Sequence, residues 1–182
     1  MKGKSGILLV IGLALFALVV VYLTFSNGDS PSDRVAVEAD GGEDAVSQEP
    51  YLTAMLDLEG NSVDMERDKL IFLNVWATWC GPCIMEMPSI QSLYERYQSN
   101  DKVRFYIVTN EDAETILPFI QRRGFNLPFY SYYKRFPGVL DGVSIPRTYI
   151  VYKGKILAQQ IGAAHWDTPE VHELIESALQ GS

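Results

Sequence analysis

Two cysteines separated by two residues are the feature of this sequence best suited to chemistry. They lie in the run Trp79-Cys80-Gly81-Pro82-Cys83, and the chain has no other cysteine. A pair with this spacing can form a structural disulfide, supply half of a zinc site, or act as a redox-active pair. The residues around the pair favour the last of these uses.

Zinc and a purely structural disulfide are the weaker interpretations. A zinc site needs two further ligands, and the only histidines, His165 and His172, lie far along the chain. A structural disulfide that closes so short a loop would constrain the unfolded chain little. It would also stand at the joint between a core strand and a helix, where a reactive pair is easier to explain.

The redox interpretation accounts for this position. Cys80 would lie just ahead of a helix, where unpaired backbone N–H groups and the helix dipole favour a thiolate. Cys83, one turn into the helix, would be more buried and close enough to attack the sulfur of Cys80 in a mixed disulfide. Gly81 and Pro82 would set the turn, and Trp79 would form a flat apolar wall beside the nucleophile.

The elements on either side of the pair have clear patterns. Residues 70–76 form a nearly continuous apolar run, which predicts a strand buried on both faces of a sheet. Apolar residues then recur every three or four positions, which predicts a helix over 81–98 with a kink at Pro88. The apolar residues of this helix are Ile84, Met87, Ile90, Leu93, Tyr94 and Tyr97.

The remaining segments complete an α/β sandwich around a mixed sheet. We expect an opening hairpin over 51–58 and 63–65, strands over 103–108, 148–152 and 156–161, and helices over 113–123 and from 167 onward. Asp167 followed by Pro169 and Glu170 predicts that the final helix begins with Asp167 as its N-cap.

The N-terminus carries an expected membrane anchor. Lys2 and Lys4 precede an uncharged apolar run of 19 residues, Ile7 to Phe25. At about 1.5 Å per residue, such a helix spans the roughly 30 Å hydrocarbon core. The run is long and has no Ala-x-Ala-like site, which favours an uncleaved single-pass anchor over a signal peptide. The lysines predict a cytoplasmic N-terminus in the inner membrane, with the following domain on the periplasmic or extracytoplasmic side.

Residues 26–50 have the composition of a flexible tether. They contain seven acidic residues and a single base, Arg34, together with Gly, Ser and Pro. The predicted organisation is therefore a cytoplasmic stub and anchor over 1–25, an acidic tether over 26–50, and one folded domain over 51–182.

The charge of the folded domain argues against nucleic acid as a partner. The whole chain has a net charge of −8, and removing the +2 of residues 1–25 and the −6 of residues 26–50 leaves −4. Binding to a phosphate backbone requires a clustered basic surface. The only adjacent basic pairs, Arg122-Arg123 and Lys134-Arg135, are better explained as solvated surface.

The run Val75-Trp76-Ala77-Thr78-Trp79-Cys80-Gly81-Pro82-Cys83, with Pro88 downstream, resembles the thioredoxin superfamily. The finer resemblance is to its membrane-anchored, extracytoplasmic TlpA/ResA-like branch, and it covers about residues 51–180. It implies a thioredoxin fold, a central mixed sheet flanked by helices, and thiol-disulfide exchange that uses no cofactor and no metal.

The resemblance also assigns a proline. Pro146 in Ser144-Ile145-Pro146-Arg147-Thr148 matches the family's cis-proline beside the cysteine pair. The backbone of Ile145 would then pair with the substrate polypeptide. The alternative is an ordinary trans-proline that opens an edge strand.

The proton route departs from that of cytoplasmic thioredoxins. Their buried aspartate, six positions before the nucleophile, is Asn74 in this chain, and an amide cannot exchange a proton. The ResA-like branch suggests Glu86 instead, one helical turn after Cys83. If Glu86 is partly buried, its pKa rises and it suits proton transfer from Cys83. The alternative is a solvated helix glutamate.

Two further features bear on partners. The family usually has Thr after the cis-proline and an acid at the end of the next strand, where this chain has Arg147 and Val151-Tyr152. We expect these changes to affect the substrate-facing rim.

The aromatic residues of 125–136 indicate either core packing or a partner surface.

The dipeptide Gly81-Pro82 is that of reducing thioredoxins, whose reduction potentials are about −270 mV, against about −120 mV for the strongest periplasmic oxidant. We therefore expect a reductase of disulfides in exported proteins, including those of cytochrome c or oxidase assembly, supplied with electrons by a transmembrane thiol relay. The alternatives are a copper chaperone that binds Cu(I) through Cys80, Cys83 and His165, a thiol peroxidase, and a non-catalytic adaptor.

Overall fold

The computed structural model describes residues 49–181 of the chain. The anchor predicted over 1–25 and almost all of the tether predicted over 26–50 lie outside this range. Between residues 49 and 181, no helix is both long enough and apolar enough to cross a membrane.

A mixed sheet organises the described part of the chain. Its strands are β1 (Met55–Leu56), β2 (Ser62–Val63), β3 (Leu70–Val75), β4 (Val103–Thr109), β5 (Phe129–Ser131), β6 (Arg147–Tyr152) and β7 (Lys155–Ile161). They are arranged in the order β2-β1-β5-β4-β3-β6-β7. β3 runs parallel to β4 and antiparallel to β6. All six residues of β3 are buried, which explains its continuous apolar sequence.

Three helices pack on one face of this sheet. They are α1 (Gly81–Tyr97), α2 (Ala113–Arg123) and α3 (Pro169–Gln180), and each contributes to one buried cluster that includes both cysteines. The opposite face is covered by loop residues, which include Leu52, Met65 and Tyr132, and by Leu140 of the short 3-10 helix Gly138–Leu140. The thioredoxin-like α/β fold is thus confirmed, with the three α-helices of the described residues on one side of the sheet.

The opening strands are shorter than predicted. β1 and β2 have two residues each and pair antiparallel, Met55 with Val63 and Leu56 with Ser62. Much of the intervening turn is held by the Asp57 carboxylate, which accepts hydrogen bonds from the backbone of Glu59 and Asn61. The imperfect alternation of the sequence was a poor guide to the strand length.

The aromatic segment contains a strand that the pattern did not predict. β5 pairs parallel with β4, and its Phe129 packs against Trp76 in the core. Tyr132 is buried against Phe136, whereas Tyr133 is 59% exposed. Three residues are too few for a visible alternation. Core packing therefore accounts for most of these aromatic side chains.

The N-cap predicted for the final helix was wrong by one residue. Thr168 is the cap, and its hydroxyl accepts a hydrogen bond from the backbone N–H of Val171. This position places Pro169 at the first helical residue, where its missing N–H is not needed. Asp167 instead bonds the His172 ring.

Candidate functional site

The cysteine pair lies at the junction between β3 and α1, and the two sulfurs form a disulfide. Cys80 is the N-cap of α1, and its sulfur accepts a hydrogen bond of 3.2 Å from the backbone N–H of Cys83. Cys80 keeps 5% of its surface exposed, whereas Cys83 is completely buried. The N–H group and the helix dipole would stabilise a thiolate on Cys80 after reduction.

The residues flanking the sulfurs form an exposed apolar border. Trp79 is 75% exposed and Met85 is 73% exposed, and Gly81 and Pro82 are also exposed. Trp79 therefore presents an apolar surface to solvent beside the cysteine pair. Exposed aromatic and sulfur-containing side chains of this kind are common at binding surfaces.

Glu86 lies beneath the pair, one turn of α1 beyond Cys83, with its side chain buried. Its Oε1 accepts a hydrogen bond of 2.8 Å from Nδ2 of Asn74. Its Oε2 accepts one of 3.1 Å from the backbone N–H of Ala164 and one of 3.0 Å from the indole N–H of Trp166. Burial raises the pKa of the Glu86 carboxyl, and these three hydrogen bonds oppose the rise.

Asn74 binds this carboxylate in place of exchanging a proton. Its amide nitrogen donates to Glu86 and, at 2.8 Å, to the hydroxyl of Thr148 on β6. The side chain therefore ties β3 to both α1 and β6. The structure thus places Cys83, Glu86 and Asn74 in one region. Of the residues that the sequence analysis named for the proton route, Glu86 is the one with an acidic side chain.

The Ile145–Pro146 peptide bond is cis, as predicted from the resemblance. Pro146 is buried, and Ile145 packs against the same apolar cluster that contains Cys80 and Cys83. The Pro146 carbonyl accepts a hydrogen bond of 2.8 Å from the backbone N–H of Gly162. Because Arg147 pairs with Val75, this loop adjoins the segment that leads from β3 to Cys80.

Comparison with known proteins assigns the chain to a family. A family model described as Redoxin matches residues 45–175. The chain belongs to this family. A curated relative, thiol-disulfide oxidoreductase ResA of Halalkalibacterium halodurans, is 33% identical over 118 residues, which cover 64% of this chain and 62% of the relative. The ResA of Bacillus thuringiensis is 27% identical over 128 residues, covering 68% of this chain and 74% of the relative.

Solved structures agree on the fold. This Redoxin-family chain is similar to the crystal structure of StoA from Bacillus subtilis, with a TM-score of 0.54 and 23% identity, over 71% of this chain and 98% of StoA. At that identity the likeness shows the fold alone. The family match and the curated relatives confirm the prediction of a TlpA/ResA-like member of the thioredoxin superfamily and of a thiol-disulfide oxidoreductase.

Arg147 of this Redoxin-family protein does not reach the substrate-facing rim, contrary to the prediction. Successive side chains of a strand point to opposite faces, and Thr148 faces α1. Arg147 therefore faces the other side, where it is buried and its guanidinium lies 4.5 Å from the Phe136 ring. It donates hydrogen bonds to the carbonyls of Leu140 at 3.3 Å and Ser144 at 3.4 Å.

Glu111 holds the loop that precedes the cysteines, a contact that the sequence patterns did not reveal. Its carboxylate accepts hydrogen bonds of 2.7 Å from both the backbone N–H and the hydroxyl of Thr78, two residues before Cys80. The Ser131 hydroxyl donates to the Glu111 carbonyl. The junction of β4 and α2 thus holds the loop that carries the nucleophile. No local pattern in the sequence signals this contact.

His165 does not join the cysteines. Its side chain is exposed, and within residues 49–181 no group of three His, Cys, Asp or Glu side chains is placed to hold a metal ion. No observation in this range therefore favours the copper-chaperone alternative over thiol-disulfide exchange.

Proposed function

We propose that this Redoxin-family protein is an extracytoplasmic reductase of protein disulfides, cycling Cys80 and Cys83 between dithiol and disulfide. The observation that carries the proposal is the asymmetry of the pair. Cys80 caps α1 with a backbone N–H directed at its sulfur, and Cys83 is buried one turn behind it. One sulfur is thus suited to attack and the other to resolution.

The proposed cycle transfers two electrons to the substrate. The Cys80 thiolate attacks one sulfur of the substrate disulfide, forming a mixed disulfide and releasing the first substrate thiolate. Cys83 then loses its proton and attacks the Cys80 sulfur, which expels the second substrate thiolate. The enzyme is left with the Cys80–Cys83 disulfide, and a donor dithiol restores it by the same exchange in reverse.

Glu86 is proposed as the proton acceptor of Cys83. It lies on the same helix one turn away, and burial raises the pKa of its carboxyl towards the range useful for this transfer. The hydrogen bonds from Asn74, Ala164 and Trp166 leave the carboxylate in one fixed position. Cys80 needs no such base, because the helix N-terminus already favours its thiolate.

The border of the site is proposed to receive the substrate chain. Trp79, Gly81 and Pro82 supply an exposed surface beside the reactive sulfur. Ile145, ahead of the cis-proline, would pair its backbone with an extended substrate segment. An unfolded or newly exported polypeptide would fit such a surface, since it can offer both a free backbone and apolar side chains.

The compartment and the partners follow from the segment before the folded domain. The run Ile7 to Phe25 would anchor the protein in the inner membrane, and the acidic residues 26–50 would let the domain reach its partners. A reductase outside the cytoplasm requires electrons from inside, so a transmembrane thiol relay is the proposed donor. Disulfides of exported proteins, such as apocytochrome c or copper-site cysteines, are the proposed substrates.

The reductive direction predicts a low reduction potential. Equilibrating the full chain with redox buffers of known potential, followed by alkylation and mass measurement, is expected to give a midpoint of about −270 mV. The Gly81-Pro82 dipeptide supplies this expectation. The Cys83→Ala variant, which cannot form the disulfide, gives the baseline. A midpoint of about −120 mV would identify an oxidant and contradict the proposed direction.

The role of Glu86 predicts a selective kinetic defect in Glu86→Gln. When the reduced full chain reacts with an aromatic disulfide, attack by Cys80 releases one coloured thiolate and resolution by Cys83 releases a second. Stopped-flow absorbance should show the second phase slowed by about 10²-fold at neutral pH, with the first phase unchanged. Wild-type resolution should accelerate as the pH rises through the pKa of Glu86, because only the carboxylate accepts a proton.

Two controls accompany this prediction. Glu95→Gln changes an exposed glutamate of the same helix and is expected to alter neither phase. Because folding raises the pKa of Glu86, the protonated carboxyl favours the folded state. This contribution to the free energy of unfolding is full below about pH 4.5 and is lost as the pH rises through the pKa of Glu86 in the folded protein. Glu86→Gln should thus be at least as stable as wild type at pH 7. If the second phase of Glu86→Gln kept the pH profile of wild type, Glu86 would not be the proton acceptor of Cys83.

A further inference from the structure

The loop between β7 and α3 places an indole N–H on the carboxylate of Glu86. Trp166 is buried, and its Nε1 donates to Oε2 of Glu86 at 3.0 Å. The backbone N–H of Ala164 donates to the same oxygen at 3.1 Å. One oxygen of the carboxylate is therefore bound entirely by a segment that follows the last strand.

Trp166 is itself held by two other elements. Its backbone N–H donates at 3.1 Å to the hydroxyl of Ser89, which in turn donates at 2.7 Å to the backbone carbonyl of Glu86. Its ring meets Phe72 of β3 edge to face, with the centroids 5.1 Å apart. The indole donor is thus fixed relative to both α1 and β3 before any reaction occurs.

Within residues 49–181, the groups that donate hydrogen bonds to the Glu86 carboxylate are all uncharged. β3 contributes the amide of Asn74, which also binds the Thr148 hydroxyl of β6, and the loop contributes Ala164 and Trp166. On α1 itself, Cys83 and Ser89 lie three residues before and after Glu86. Among the described residues, no cation bonds this carboxylate, so neutral donors alone oppose the effect of burial.

We infer that Trp166 is a positioning residue whose indole N–H holds Glu86 in the ionised form that accepts the proton of Cys83. The inference rests on the proposed function, in which Glu86 is that acceptor. A hydrogen bond donated to a carboxylate stabilises the charged form over the neutral acid. Without this donor, a larger fraction of Glu86 would be protonated at neutral pH and unable to act.

Trp166→Phe tests the inference because it keeps an aromatic ring beside Phe72 and removes the N–H. The titration of Glu86 is followed in the full chain by carbon-13 NMR of its carboxyl signal, assigned by its loss in Glu86→Gln. The midpoint is expected to move to higher pH by about one pH unit, a tenfold change in proton affinity. An unchanged or lower midpoint would overturn the inference.

Trp76→Phe is the matched control. Trp76 is also buried, and its indole nitrogen has no hydrogen-bond partner within the described part of the chain. The same replacement there should leave the Glu86 midpoint unchanged, and an equal shift would attribute the effect to ring packing and overturn the inference. Ser89→Ala removes the anchor of the Trp166 backbone and the hydrogen bond to the Glu86 carbonyl but keeps the indole N–H, so it should shift the midpoint upward by less.

The kinetics separate this inference from the proposed role of Glu86. If Trp166→Phe raises the midpoint and moves the pH profile of the second kinetic phase equally, both are supported. If the midpoint rises while the second phase is unaffected, Trp166 does control the ionisation of Glu86, but Glu86 is not the acceptor. If Glu86→Gln slows the second phase while Trp166→Phe leaves the midpoint unchanged, the inference alone fails.

Discussion

Replacing Cys83 with alanine is expected to leave the protein covalently attached to its partners through Cys80. Cys80 retains the N-cap position and a backbone N–H at residue 83, so it can still attack a disulfide. Without a second sulfur one turn away, the mixed disulfide cannot be resolved within the chain. Insulin reduction should fall by roughly 10³-fold, as expected when one member of a catalytic unit is removed.

The adducts identify both the chemistry and the substrates. In cells, Cys83→Ala should give high-mass bands that vanish on reduction, and mass spectrometry of these bands identifies the attached proteins. Cys80→Ala should give none, because Cys83 is completely buried in the oxidised protein. Exported proteins with paired cysteines would support the proposed substrates. Equal trapping by Cys80→Ala would show that the assigned order of attack is wrong.

Arg147→Ala is expected to lower the free energy of unfolding by about 2–4 kcal/mol. Arg147 lies on the sheet face away from the cysteines, so the expected effect is on stability. The substitution removes two hydrogen bonds from the guanidinium, including the one to Ser144, and its contact with the Phe136 ring. Burial lowers the pKa of this guanidinium, so relief of desolvation recovers part of the loss. Leu140 also keeps the hydrogen bond from the Tyr149 hydroxyl.

Urea unfolding followed by tryptophan fluorescence measures this loss as a change in the free energy of unfolding. Arg135→Ala is the matched control, because that side chain is 75% exposed and reaches Asp141 only at 4.0 Å. Its replacement should change stability by less than about 0.5 kcal/mol. If both variants lost the same small amount, Arg147 would not be holding the segment that leads to the cis-proline.

Local patterns were enough to predict much of the site. The buried run of β3, the three- and four-residue spacing in α1 and the intervening cysteines depend on residues close together in the chain, so they could be identified without coordinates. The same holds for the position of Cys80 ahead of the helix, which the structure confirms as the N-cap. The cis bond before Pro146 came from the family resemblance, and the structure has it.

Features that rest on contacts between distant residues could not be found in this way. The donors to Glu86 from Ala164 and Trp166 are separated from it by 78 and 80 residues. No periodicity encodes such a contact, because a hydrogen bond depends on the distance between atoms in the folded chain. Glu111 was missed for the same reason, since 33 residues separate it from Thr78.

The position of Arg147 also could not be predicted from its neighbours in the sequence. Its neighbour Pro146 lies in the loop beside the cysteines, and proximity in sequence suggested that Arg147 shares that surface. In a strand, however, adjacent side chains point to opposite faces, and the pairing of Arg147 with Val75 sets which face each one takes. The cysteine chemistry is thus specified by neighbouring residues, whereas the proton acceptor's surroundings and the face taken by Arg147 depend on the packing of the sheet.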